Sequence, residues 1–146
     1  MNIITGEKIQ QLCDYYIGSL GDFNFNPRIK IQNNKHINIE NYDLNMISTG
    51  KIKNIFCYTH IIDGKSAKFS QNKCDNNYKN LMDILNNITT NFNIIFHNSD
   101  GHFLSNRVEL LNIPNLNKIF TQNITIEPRE RIIPLPIGIA NSMWKH

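Results

Sequence analysis

Alanine is scarce in this chain. In 146 residues it occurs only at Ala67 and Ala140, while Asn and Ile make up about a third of the sequence. Asn and Ile have AT-rich codons and Ala needs GC-rich ones, so base composition accounts for the bias. The N-x-T sequons at Asn87 and Asn123 therefore carry little weight. Charge is also sparse. Charged residues are 18%, and 15 Lys and Arg against 12 Asp and Glu leave a formal charge of +3. A nucleic-acid binder shows a basic stripe interleaved with aromatics. Here Lys51 and Lys53 flank a strand and Arg129 and Arg131 flank a turn, and neither pair makes a patch. Nucleic acid is not expected as a partner.

Other absences narrow the class further. The three cysteines, Cys13, Cys57 and Cys74, lack metal-ligand spacing and cannot all pair in disulfides. Free cysteines pack as small hydrophobes, and Cys13 and Cys57 are expected in the core of a protein kept in a reducing, intracellular compartment. No stretch approaches the roughly 20 apolar residues of a membrane span, and Glu7 and Asp14 interrupt any signal-peptide pattern. There is no G-x-x-x-x-G-K-[ST] loop, no G-x-G-x-x-G, no nucleophile elbow and no H-E-x-x-H. His60, His97 and His102 have no carboxylate or thiol spacing to suggest a metal, and no metal or resident cofactor is expected.

What is present is an alternation of short apolar runs and helical stripes. Ile9, Leu12, Cys13, Tyr16 and Ile17 recur at helical spacing, with Thr5 as N-cap and Gly18 as stop. Ile29 with Ile31, and Ile37 with Ile39, alternate with polar residues as in a two-strand excursion or an extended arm. From Lys51 the pattern sharpens. Strands are predicted at 54–58, 92–96, 118–121 and 131–135, with helices at 78–88 and 106–112. Strands alternating with helices signify βαβ units and a parallel sheet, and apolar runs without alternation fit strands covered on both faces. The expected fold is α/β, a Rossmann-like, mostly parallel sheet with flanking helices in a single lobe. Residues 1–50 are expected to form an N-terminal helix and irregular arm, and 51–146 the lobe proper, as one continuous domain.

In open α/β sheets, ligands bind beyond the carboxyl ends of the strands. Those ends carry Thr59, His60, His97, Asn98, Ser99, Asp100, Gln122, Asn123 and Gly138. In the densest cluster, His97 and Asp100 can serve as a general base and the carboxylate that orients it, or both can bind sugar hydroxyls. Asp100-Gly101 is also a tight-turn pair, and Ser99 or Asp100 can cap the next helix. Pro134, Pro136 and Gly138 suggest a strand that stops abruptly where backbone approaches something closely.

The stretch Phe120-Thr121-Gln122-Asn123 and the run from Arg131 to Trp144 (RIIPLPIGIANSMW) resemble a segment of exostosin-like glycosyltransferase-related proteins of the giant DNA virus type. The upstream HNSD, the N-terminal GEKIQQLCDYYIGS and NPRI share the resemblance. It is strongest from about Phe92 onward. Such enzymes are similar to the two-lobed GT-B class, in which an N-terminal Rossmann-like lobe faces the acceptor and a second lobe holds the nucleotide-sugar. By resemblance, His97, Asn98, Ser99, Asp100, Gln122, Asn123, Pro136, Gly138, Asn141 and Trp144 would line the interlobe cleft. His97 and Asp100 would be catalytic, and Asn98, Ser99, Gln122, Asn123, Gly138 and Asn141 would bind substrate, joined by Thr59 and His60 from their place at the end of a strand. The sequence stops at His146, where the second lobe would begin. The resemblance therefore implies an acceptor-side lobe without independent sugar transfer, with a sugar acceptor or nucleotide-sugar as ligand and a second lobe or partner chain to hold the donor. For a viral protein the compartment would be the host cytoplasm. The alternatives are a non-catalytic sugar- or nucleotide-binding module and a structural protein that kept the fold.

Overall fold

A computed structural model describes residues 6–25, 35–62, 69–97, 107–121 and 131–135. Six strands form one parallel sheet: β1 (Tyr15–Gly18), β2 (His36–Asn38), β3 (Asn54–Tyr58), β4 (Phe92–His97), β5 (Leu116–Thr121) and β6 (Ile132–Pro134). Their spatial order is β2-β1-β3-β4-β5-β6. The helices are α1 (Gly6–Gln11), α2 (Leu20–Phe25), α3 (Leu44–Thr49) and α4 (Gln71–Asn86), with 3-10 turns at Thr59–Ile61 and Val108–Asn112. The expected α/β sheet is present, and the four strands predicted from residue 51 onward are β3 to β6 within a residue or two.

The sheet is built where the sequence is most apolar. Ile55, Phe56, Cys57 and Tyr58 of β3 are all buried, as the absence of alternation requires. Tyr16, Ile17, Ile94, Phe96 and Ile119 continue the core on either side. Asp14 fixes the start of β3: its carboxylate accepts the Lys53 and Asn54 N–H groups at 2.8 and 2.9 Å, and its own N–H donates to Asn54 O. Cys13 and Cys57 lie in the core, as expected. Burial, and then the Asp14 charge, push the Cys13 thiol up to about 12, so it stays protonated.

The N-terminal helix stops at Gln11, short of the Ile17 that the apolar spacing suggested. Tyr15 to Gly18 is instead β1, paired with both β2 and β3. Four strand residues are too few to break a 3.6-residue pattern, and Ile9, Cys13, Tyr16 and Ile17 face the core in either conformation. Ile37 lies in β2 and Ile39 just beyond it, while Ile29 and Ile31 lie outside the described residues.

Helix α4 starts earlier than its apolar stripe. Its first turn is polar and is capped by Ser70, whose hydroxyl accepts the Lys73 N–H at 3.2 Å. Cys74, Asn77, Leu81, Ile84 and Leu85 form its buried face, and Asn77 satisfies itself by donating to Ile61 O at 2.9 Å. Ser70→Ala should lower unfolding free energy by about 1 kcal/mol, the usual value of such a cap, in a urea titration. Arg107 ties the 3-10 helix to this layer. It donates to Ile62 O and to Asp75, and its guanidinium lies 4.5 Å from the centre of the Tyr78 ring. Arg131 secures the entry to β6 by donating to the carbonyls of Leu111, Leu116 and Asn117.

Candidate functional site

Because all six strands are parallel, their C-terminal ends reach one edge. The chain leaves β1 toward β2 on one side, and the later strands continue from β3 on the other. The gap between β1 and β3 is the topological switch point, where connections diverge and leave a crevice for a ligand.

Two segments meet there. After β1 comes Ser19-Leu20-Gly21-Asp22, a reciprocal cap for α2. The Ser19 N–H donates to Asp22 Oδ2 at 2.9 Å, and the Ser19 hydroxyl donates to the same oxygen at 2.9 Å. The Asp22 N–H lies 3.4 Å from Ser19 Oγ in return. After β3 comes the 3-10 turn bearing His60. Its Nε2 stands 2.7 Å from the second carboxylate oxygen, Asp22 Oδ1. Asp22 is thus held on one oxygen by its own helix cap and presents the other across the switch point.

The electrostatics follow from that placement. The Asp22 side chain is 5% exposed and that of His60 20%. Burial alone would raise the Asp22 carboxyl, but the hydrogen bond and charge of His60, with the Ser19 donors, outweigh it and hold the group below its ordinary value. His60 also stacks on Phe69, with ring centres 5.7 Å apart and planes at 24°. Tyr58 lies 6.0 Å from His60 between ring centres, and its hydroxyl donates to the buried Gln10 at 2.9 Å. Among the described residues, no group hydrogen-bonds His60 Nδ1.

Beside this pair is an open cleft of about 290 Å³ walled by Ser19, Leu20, Gly21, Asn38, Glu40 and Phe69. Asn38 ends β2, and its side-chain oxygen accepts the Glu40 N–H at 3.0 Å, which leaves its NH₂ available. Glu40 pairs with Lys73 at 2.6 Å on an exposed surface. A second cavity of about 320 Å³ lies against the sheet face near α1, between Ile9, Leu12, Ile95, Phe120 and Leu135. It is mostly apolar, with Cys13, Asn54 and Asn93 as the other described residues on its walls.

Of the site residues expected from sequence, His60 sits at the switch point. Thr59 begins the 3-10 turn, buried at 4% exposure, with its carbonyl accepting the Ile62 N–H. The backbone of His97 ends β4, in register with Tyr58. The side chain of His97, and Asn98, Ser99, Asp100, Gln122, Asn123, Gly138 and Asn141, lie outside the described residues, as do Pro136 and Trp144. Sequence reasoning missed Asp22, Ser19, Asn38, Glu40 and Phe69. The signal for the first two was present, since S-x-x-D directly after an apolar triplet marks a strand running into a capped helix. Among the described residues there is no cluster of His, Cys, Asp and Glu able to hold a metal, and no helix long and apolar enough to cross a membrane. No protein family, curated protein or solved structure matches this chain.

Proposed function

We propose that the chain is the acceptor-side lobe of a glycosyltransferase-like protein, in which the switch-point cleft receives a hydroxyl-bearing acceptor. The observation that carries this reading is the 2.7 Å contact of His60 with the buried Asp22 beside that cleft. A carboxylate beside Nε2 holds the ring in place and leaves Nδ1 as the nitrogen that could take a proton from an acceptor. The acceptor O–H would give its proton to Nδ1, and the freed oxygen would attack the anomeric carbon of a nucleotide-sugar. The carbon–oxygen bond to phosphate would break, and the nucleoside diphosphate would leave with the electron pair. In this scheme the donor is held by a second lobe or chain, because transfer requires both substrates in register. His97 and Asp100 remain candidates from the sequence alone.

The same cleft without a donor partner is a sugar-binding module, which one set of measurements separates from the transfer reading. In NMR titrations, acceptor saccharides are expected to shift the Ser19, Asn38 and His60 resonances. Incubation of the chain alone with nucleotide-sugars and acceptors should yield no glycoside, while adding a donor-binding lobe should yield product that His60→Ala abolishes. Rapid transfer by this chain alone would overturn the one-lobe reading. A saccharide panel that moves no resonance would overturn the acceptor role.

A further inference from the structure

The two faces of the sheet are covered unequally. Ile55, Ile94, Ile119 and Ile132 stand in register as one row across β3 to β6, and none is more than 1% exposed. One residue further on, Phe56, Ile95, Phe120 and Ile133 form the row that points to the opposite face. Phe56 is buried, whereas Ile95, Phe120 and Ile133 are only half-buried. Among the described residues, cover on this second face therefore gives out between β3 and β4. Helix α1 lies over β3 there, with Gln10 accepting the Tyr58 hydroxyl. Beyond it opens the cavity of about 320 Å³ walled by Ile9, Leu12, Ile95, Phe120 and Leu135. Leu12 is 81% exposed although it is a leucine on an apolar wall.

Topology selects the segment that can cover it. Connections between parallel strands are right-handed. Strands β3, β4, β5 and β6 succeed one another in one direction across the sheet, so the connections between them, α4 included, belong on the face of the isoleucine row. The step from β1 to β2 runs the opposite way and puts α2 on the second face, at the border remote from β6. The second face over β4 to β6 is left to chain that follows β6. Leu135, the residue after β6, already stands on the cavity wall. The next eleven residues, PIGIANSMWKH, supply Ile137, Ile139, Met143 and Trp144. Three strand spacings separate β6 from β3, about 14 Å, and eleven residues reach about 16 Å even if wound as a helix. We infer that residues 136–146 dock in this cavity, crossing back over β5 and β4 toward α1, so that their apolar side chains cover Ile95 and Phe120. The cavity is then an internal docking groove for the chain's own segment, on the face where exposed apolar surface would otherwise invite a partner.

Trp144 is the one tryptophan of the sequence, so the intrinsic fluorescence of the whole chain reports on this segment alone. Its emission is expected to lie to the blue of a synthetic peptide of residues 136–146 and to be shielded from acrylamide, at every protein concentration. Leu12→Glu and Phe120→Gln, both on the groove wall, should each shift the emission back toward that of the peptide and restore quenching. Circular dichroism checks that each variant is folded, and Leu12 is exposed enough that its substitution leaves the core untouched. Emission of the unaltered chain that matches the free peptide would overturn the docking. So would a blue-shifted emission that neither variant moves, since Trp144 would then be buried elsewhere. A blue shift that fades on dilution, together with a dimer in sedimentation velocity, would overturn it too and make a second copy of the chain the occupant.

Discussion

Phe56→Ala is expected to remove about 3–5 kcal/mol of stability, the range for deleting a fully buried aromatic ring. Phe56 lies at the middle of β3, with Tyr16 of β1 on one side and Ile95 of β4 on the other. It is 0% exposed, and it meets the edge of Tyr58 at 5.2 Å between ring centres. Neighbours on both sides are themselves fixed in the sheet, so the space cannot close up and the cavity term adds to the lost transfer energy. A domain of this size has about 5–15 kcal/mol in total, and the variant should therefore lie near the edge of folding. Urea titration gives the answer: the midpoint should fall sharply with an unchanged slope. A loss below about 1 kcal/mol would mean that β3 is not the central strand.

Asp22→Ala should cost about 2 kcal/mol, because it removes the buried carboxylate 2.7 Å from His60 and strips α2 of its reciprocal cap. The same residue sets an acid limit. Its folded-state pKa lies below the ordinary value, so its contribution is complete above the unfolded pKa of about 4 and is lost as pH falls through the lower folded value. Wild-type stability should fall below about pH 4, and the part of that slope due to Asp22 should vanish in Asp22→Asn, which keeps the shape of the side chain and loses the charge. Chemical denaturation at a series of pH values measures both effects. Equal slopes in the two proteins would show that Asp22 does not couple to His60.

The central strands were legible because burial on both faces demands uninterrupted apolar runs, and NIFCY and FNIIF supply them. β1 was not legible. Its four residues follow a helix whose apolar positions run on in phase, and only pairing with His36 and Phe56 on separate segments makes it a strand. Missing β1 concealed the switch point, and with it the partnership of Asp22 and His60, which are 38 residues apart in the numbering and joined only by the parallel alignment of β1 and β3. His60 was expected at the site from its place after a strand. Asp22 was not, because its S-x-x-D cap signal marks a helix start and says nothing of a distant histidine. Glu40 and Phe69 illustrate the same limit, since each looks ordinary until the sheet order brings both to one cleft.

The outermost strand on the β5 side carries a further consequence. In β6, Arg131 O accepts from Ile119 N and Leu135 N donates to Thr121 O, so these residues turn their polar groups inward to β5. The alternate residues, Ile132 and Pro134, then direct theirs outward, and proline has no N–H to offer. A strand arriving from another molecule would find a three-residue edge whose last residue offers no donor. Growth of this sheet by adding chain to chain is disfavoured at that border by a single imino acid. The protein can carry a long row of isoleucines in its strands without becoming a template for fibres there.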